Sequence, residues 1–147
     1  ISSHRRYSGF QMAMAEAGLE IDPDLVRRGR FTYRSGMEAA DRMLDMADAP
    51  TAIFASNDDM AAGVIASAFR HGKRVPEDIS VVGYDDTPIA SAIWPQLTTV
   101  RQPIAEMGYQ SVDLLASFIG DEDQAGKDLH PVLDVAIIER DSVKRVS

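Results

Sequence analysis

The sequence contains no cysteine, so neither a disulfide framework nor a thiolate metal site can form. This absence fits a reducing compartment, and we expect a cytoplasmic protein. Long uncharged runs are also missing, because the longest, residues 87–100, is too short to span a bilayer and contains two prolines. No signal peptide is expected, since the first residues are polar and basic without an apolar core after them.

Basic residues are scarce. The 147 residues include 15 Lys and Arg against 23 Asp and Glu, which gives a net charge of −8. An acidic surface repels phosphate backbones, so this chain by itself is not expected to bind DNA or RNA. We interpret the one small basic run, residues 27–34, as solvated charges beside a strand.

The common signatures of catalysis and metal binding are absent as well. Ser56 lies outside any G-x-S-x-G turn, and no phosphate-binding glycine loop is present. The paired aspartates at 58–59 and 85–86 are neighbours in sequence, so their side chains should diverge. The three histidines lack the spacing of metal ligands; they are His4, His71 and His130. We therefore predict no enzyme, no metal and no cofactor.

What the chain does contain is an alternation of helical and strand patterns. Apolar residues spaced three and four apart predict helices at 7–17, 37–47, 59–70 and 103–118. Short apolar runs predict strands at 51–55, 79–84, 97–101 and 132–139, with a charged connector at 120–127. A further short strand is predicted to begin at Leu25 and Val26 and to run toward Phe31. This order predicts an α/β fold, a parallel sheet with helices on both faces. Because the pattern opens on a helix, we expect its feeding strand upstream and interpret the sequence as a fragment.

Polar residues follow each predicted strand. Asn57, Asp85 and Gln102 come just after strands, and Phe31 follows the strand at 26–29. Arg6 opens the first helix and should lie at the same rim. Ligands of parallel α/β sheets bind beyond the carboxyl ends of the strands. Carboxylate, amide and guanidinium groups beside an aromatic ring suit a polyhydroxylated or heterocyclic small molecule.

Each of these residues also has a purely structural interpretation. Asn57 or Asp58 could cap the third helix. The aspartates at 85–86 could be ordinary turn residues. Phe31 could be a core aromatic, and Arg6 could be a solvated charge on a helix face. Taken singly, none of them identifies a binding site.

Four segments in this order and spacing carry a specific resemblance. They are SHRRYSGF at 3–10, ASNDDMAAG at 55–63, GKRVPEDISVVGYDDT at 72–87, and PQLTTVRQP at 95–103 followed by Met107 and Gly108. Together they cover most of the chain. The sequence resembles the lactose-repressor/galactose-repressor family of transcription regulators.

The resemblance implies a type I periplasmic-binding-protein fold, in which a small effector, a sugar or related metabolite, binds between two lobes. The residues at the family's effector-contact positions are Arg6, Asn57, Asp85 and Gln102, with Phe31 at the position of a stacking aromatic. Asp58 is expected to be a structural cap and loop anchor.

The resemblance also implies how the chain divides. Residues 1–103 would form most of the C-terminal lobe, residues 104–120 a helix that packs on the other lobe, and residues 121–147 a connector and the C-terminal strand. Without that partner the helix should either expose its Leu114–Phe118 face or dock elsewhere. Most of the N-terminal lobe is lacking. DNA contact is expected only through an N-terminal helix-turn-helix that is absent from this chain.

An apolar patch predicts a homodimer. Residues 60–69 carry no charge on any side of the third helix, so both of its sides should be covered. The neighbouring uncharged stretch 87–96 could join it in an interface. The predicted interface residues are Met60, Ala61, Val64, Ile89, Ile93 and Trp94. The alternative is that both segments are simply interior.

Two rival functions use a similar fold. A periplasmic sugar-binding protein of a transport system would share the cleft, but the PQLTTVRQP stretch and the apolar third helix favour the repressor. A phosphoacceptor receiver domain would need a lysine just past a strand, and no lysine lies there.

Overall fold

The computed structural model describes residues 2–119 and 132–145, in which α-helices alternate with β-strands. The helices are α1 (Ser2–Glu16), α2 (Tyr33–Leu44), α3 (Asp58–Arg70), α4 (Pro88–Ala92) and α5 (Ile104–Ile119), with a 3₁₀ turn at Pro23–Leu25. The strands are β1 (Ala52–Phe54), β2 (Ser80–Asp85), β3 (Thr98–Arg101) and β4 (Ala136–Ile138). The connector predicted at 120–127 lies outside the described residues.

The strands form one sheet in the order β1-β2-β3-β4. The first three strands are parallel, and Val82 pairs with Thr98 while Tyr84 pairs with Val100. The predicted α/β fold with a parallel sheet is therefore confirmed. The last strand differs, because β4 runs antiparallel to β3 at the edge, as edge strands of mixed sheets often do.

One face of the sheet, which we call the packed face, is covered by α2 and α3. Ile65 on α3 and Val81 on β2 are almost completely buried there. The two helices approach closely at glycines: a Cβ added to Gly63 would lie 2.1 Å from the Tyr33 carbonyl oxygen. Only glycine permits this contact, so the α2–α3 interface depends on it.

The opposite face, which we call the open face, carries Phe54 on β1, Val82 and Tyr84 on β2, and Val100 on β3. They line a cavity of about 760 Å³ below α1 and α5. Phe10 of α1 stacks on Phe54 with ring centroids 6.3 Å apart. Successive residues of a strand point to opposite faces, which is why Val81 and Val82 lie in such different surroundings.

Helix α5 leaves most of its large apolar side chains exposed, including Leu115 at 59% and Phe118 at 54%. Of the two alternatives expected for the Leu114–Phe118 face, exposure or docking elsewhere, these two residues show exposure. None of the helices in residues 2–119 and 132–145 combines the length and apolarity that crossing a bilayer requires.

Two local predictions are wrong. Residues 25–31 do not form a strand, because the 3₁₀ turn at Pro23–Leu25 is capped by Asp22 and the extended segment after it pairs with no strand among the described residues. The uncharged stretch 87–96, where the sequence pattern predicts no helix, contains the short helix α4, which begins at Pro88. A helix of five residues is too short to show a periodic apolar pattern.

The predicted dimer interface is corrected in part. Met60, Ala61 and Val64 are buried within their own chain and have no surface to offer a partner. The reason is that α2 packs closely against α3, with Gly36 beside the Met60 backbone and Gly63 beside the Tyr33 carbonyl, and that all three predicted residues belong to the core cluster. Ile89 and Ile93 are partly buried, and the indole of Trp94 is 77% exposed. Only these last three residues remain candidates for a contact.

Candidate functional site

Arg6 connects three elements at the carboxyl end of the sheet. Its Nη1 donates to the Ser56 carbonyl after β1, and its Nη2 lies 3.0 Å from Asp85 Oδ1 at the end of β2. The guanidinium carbon sits 3.8 Å from the centroid of the Tyr84 ring, a cation–π arrangement. The Arg6 side chain is only 12% exposed, so it is not a solvated charge.

Asp85 receives a second hydrogen bond from Gln102, whose Nε2 lies 2.6 Å from the same Oδ1 atom. Burial raises the pKa of the Asp85 carboxyl above its usual value, although Arg6 and Gln102 pull it in the opposite direction. Within the part of the chain that the structure describes, no group donates to Asp85 Oδ2. That oxygen is therefore available as an acceptor at the rim.

Asp85 and Asp86 form a turn with two successive left-handed residues, at φ 112° and φ 56°. Aspartate tolerates such angles better than most residues, but each still costs about 1–3 kcal/mol. The turn directs the two carboxylates to different partners, as expected for neighbouring residues. A strained pair like this persists only where its surroundings fix it, which is common at ligand sites.

The second carboxylate, on Asp86, is held by two arginines. Arg101 Nε lies 2.6 Å and Arg140 Nη2 lies 2.7 Å from its two oxygens. Burial alone would raise the pKa of Asp86, but the hydrogen bonds from Arg140 and Arg101 outweigh it, so the pKa lies below its usual value. Asp86 is therefore a structural anion and not part of an acid–base pair with Asp85.

Asn57 and Phe31 form the other side of the rim. Asn57 Oδ1 accepts from the Met60 backbone N–H at 3.0 Å, so the helix-cap interpretation is correct. Its Nδ2 donates to the Phe31 carbonyl at 3.2 Å. Phe31 has φ 58° and is 43% exposed, so it is not a core aromatic.

Asp58 is completely buried below this rim and accepts three hydrogen bonds. The backbone N–H and hydroxyl of Thr87 donate to Oδ2 at 2.7 and 3.1 Å, and the Thr99 hydroxyl donates to Oδ1 at 2.5 Å. A Cβ on Gly83 would lie 2.4 Å from Oδ1, so glycine is needed beside it. Asp58 is thus a loop anchor, as predicted, whereas Asn57 provides the cap.

The five predicted site residues lie at one edge of the sheet. Asp85 contacts both Arg6 and Gln102 directly, Asn57 contacts Phe31, and Ser56 links the two groups because it accepts from Arg6 and precedes Asn57. Beside them opens the cavity of the open face, lined at this end by Arg5, Arg6, Tyr84 and Gln102.

Sequence reasoning missed two contributors to this edge. Tyr84 could have been found, because it precedes Asp85 on a strand and faces the open side by alternation. Arg140 could not, because 54 residues separate it from Asp86 and no local pattern joins them.

Comparison with known proteins decides the family. The sequence matches the periplasmic binding protein-like domain over residues 2–143. The chain belongs to that family. It is 39% identical over 141 residues to the HTH-type transcriptional repressor PurR of Vibrio cholerae serotype O1, covering 95% of this chain and 41% of that protein. The resemblance to regulators of the lactose-repressor type is therefore confirmed.

Solved structures of transcription regulators have the same fold as this chain. The transcriptional regulator CelR in complex with cellobiose superposes with a TM-score of 0.87 at 38% identity, over 93% of this chain and 41% of that one. A LacI family transcriptional regulator from Lactobacillus casei with bound sucrose superposes with a TM-score of 0.82 at 31% identity, over 96% of this chain and 51% of that one. This chain thus spans about two fifths to one half of the length of these three relatives.

Proposed function

We propose that this chain is the larger part of the effector-sensing lobe of a bacterial transcription regulator, and that it is not an enzyme. The observation that carries the proposal is the direct contact of Arg6, Asp85 and Gln102 at the carboxyl ends of β1 to β3. Ligands of open parallel sheets bind at this end. DNA would be contacted by a helix-turn-helix outside this sequence, in a cytoplasmic protein.

The effector is a polyhydroxylated molecule of the sugar class. Asp85 Oδ2 accepts from one hydroxyl, while Arg6 and Gln102 can each donate to a neighbouring one. The exposed ring of Phe31 covers an apolar face of the ligand. Two related regulators have disaccharides bound, cellobiose and sucrose, which supports this class.

Asn57 contributes less than the other rim residues. Its oxygen caps α3 and one of its amide protons is taken by the Phe31 carbonyl. A side-chain amide has two N–H donors, so one remains for an effector. Its larger role is to hold Phe31 in its left-handed conformation.

The exposed α5 face supports the proposed division of the chain. In this division residues 1–103 are most of the C-terminal lobe, residues 104–120 are the helix that packs on the other lobe, and residues 121–147 are a connector and the C-terminal strand. Effector bound between the lobes favours one lobe–lobe angle, and this angle decides whether the paired DNA-binding heads fit the operator. A coupling of about 1–3 kcal/mol is enough for such a shift.

Homodimerisation is proposed through Ile89, Ile93 and Trp94. Trp94 is the most exposed of the three, and it lies with Phe69 beside a second cavity of about 500 Å³. A two-fold dimer would match a palindromic operator. Substituting Trp94→Ser should shift full-length protein toward monomer in analytical ultracentrifugation.

A periplasmic transport protein is the alternative that shares this fold. The matched repressor and regulators favour the regulatory function instead.

Thermal-shift measurements on the full-length protein test the site. Cellobiose, sucrose, sugar phosphates and purines are screened against wild type, Asp85→Asn and the control Asp48→Asn, an exposed aspartate away from the rim. We expect at least one compound to raise the melting temperature of wild type and control but not of Asp85→Asn. Equal stabilisation of all three proteins would refute the site.

A further inference from the structure

We propose that Asp58 and Arg140 are positioning residues of the effector site, which hold the Asp85–Asp86 turn from two sides and so aim Asp85 at the ligand. This inference rests on the proposed function for the role of Asp85. Neither residue lies at the rim itself.

The turn needs external support because of its own backbone. Asp85 and Asp86 are both left-handed, and neither is glycine. The contacts of the Asp85 side chain, to Arg6 and Gln102, belong to the proposed effector site itself. Support that is independent of the effector must come from groups outside that site.

Asp58 supplies the first support, from the packed face. It lies at the start of α3 and accepts from both the N–H and the hydroxyl of Thr87, the residue directly after the turn. Its other oxygen is held by Thr99 on β3. A buried carboxylate that accepts three hydrogen bonds is a rigid anchor, and it fixes the exit of the turn relative to α3 and β3.

Arg140 supplies the second support, from the C-terminal segment. Its Nη2 donates to Asp86 Oδ1 at 2.7 Å, and its Nη1 donates to the Leu97 carbonyl at 2.8 Å. Its own backbone N–H is bound to Thr98 Oγ1 at 2.9 Å, so the arginine is fixed at both ends. The side chain is 15% exposed and that of Asp86 is 8% exposed.

The two supports act on the residues that immediately follow Asp85. Asp86 is held by Arg140, with the more exposed Arg101 as a second donor, and Thr87 is held by Asp58. The direction in which Asp85 leaves β2 is therefore set by groups outside the proposed effector site. Loss of either support should release the turn toward ordinary backbone angles. Asp85 would then leave Arg6, although the core stays packed.

The deciding experiment compares Arg140→Met and Asp58→Asn in the full-length protein. Arg74→Met is the matched control, because it breaks a two-point arginine–aspartate contact with Asp78 away from the turn. We expect hydrogen exchange measured by mass spectrometry to rise in peptides covering 84–90 in both test variants and to stay unchanged in the control. Peptides from α2 and from the middle of α3 should keep their protection.

Crystal structures of the two test variants give a second measurement. We expect φ of Asp85 or Asp86 to leave the left-handed region and the Arg6–Asp85 contact to break. If Asp58→Asn does not fold, Arg140→Met and Thr87→Val carry the test. Unchanged exchange at 84–90 together with an intact Arg6–Asp85 contact overturns the proposal.

A double-mutant cycle separates positioning from general stability. Affinity is measured with cellobiose and with sucrose for Arg140→Met, Asp85→Asn and the double variant. Arg140→Met should weaken binding about tenfold in the wild-type background and not at all in the Asp85→Asn background. Equal weakening in both backgrounds means that Arg140 does not act through Asp85. If Asp85→Asn itself leaves binding unchanged, the proposed function fails, while the exchange and crystal results still report on the turn.

Discussion

The two faces of the sheet differ in how completely this chain covers them. On the packed face, Val81 and Leu97 are fully buried below α2 and α3. On the open face, Tyr84 and Val100 line a cavity, and the helices above them expose large apolar side chains such as Leu115. The packed face therefore supplies the stability of the fold, whereas the open face and its rim remain available for a ligand and for further protein.

The largest difference in the free energy of unfolding is expected between an isoleucine on the packed face and an isoleucine on α5. Ile65→Ala on α3 removes a side chain that is 3% exposed and should lower the free energy of unfolding by about 2–5 kcal/mol. Ile104→Ala on α5, where 60% is exposed, should cost under about 0.5 kcal/mol in this chain. Urea denaturation measures both. Similar losses for the two variants would contradict the division into faces.

Glycines offer a second matched pair. Gly63→Ala forces a Cβ against the Tyr33 carbonyl and should cost about 1–3 kcal/mol. Gly108→Ala lies on α5 with nothing within 4 Å, and it should stabilise the helix by up to about 1 kcal/mol. Opposite shifts in melting temperature are expected. Shifts of the same sign would show that the α2–α3 contact is looser than described.

The two aspartates of the turn should respond differently to substitution by asparagine, because their pKa values are shifted in opposite directions. Asp86→Asn removes a carboxylate whose pKa is lowered by its arginines, and we expect a loss of about 2 kcal/mol at neutral pH. This contribution is present above the ordinary aspartate pKa and is lost as the pH falls through the lowered pKa. Asp85 has a raised pKa, so Asp85→Asn should not destabilise the fold at neutral pH.

Thermal melts of both variants between pH 3 and 7 test this contrast. Protonation of Asp85 contributes stability to the fold. This contribution is fully present below the ordinary aspartate pKa and is lost as the pH rises through the raised pKa of Asp85. A larger loss for Asp85→Asn than for Asp86→Asn at pH 7 would mean that Asp85 is structural.

The smallest effect is expected at His71, which joins α3 to α2 far from the rim. Its ring nitrogens lie 2.8 Å from the Ser67 carbonyl and 3.2 Å from Asp45 Oδ1. The hydrogen bond to Ser67, with help from Asp45, raises the pKa of His71 above 6.5. Its stabilisation is therefore complete below that value and is lost as the pH rises through the raised pKa. His71→Gln should therefore make the melting temperature depend less on pH between pH 6 and 8. The same pH dependence in the variant and in wild type would show that His71 does not stabilise the fold in this way.

Much of the fold could be predicted because its signals are local. The spacing in α3 and the apolar run of β2 report directly on burial. The meeting of Arg6 with Asp85 followed from topology, since parallel strands end at one edge and helix α1 begins there. Long-range partners could not be predicted. The cover that α2 gives to α3, and the bond from Arg140 to Asp86, depend on packing between segments far apart in sequence.

The most direct test is a crystal structure of the full-length protein with the compound that gives the largest thermal shift. We expect a hydroxyl of that compound within about 3 Å of Asp85 Oδ2, with Arg6 beside it and Phe31 against the ring of the compound. Density for the compound elsewhere, with the Arg6–Asp85–Gln102 contacts unchanged, would contradict it.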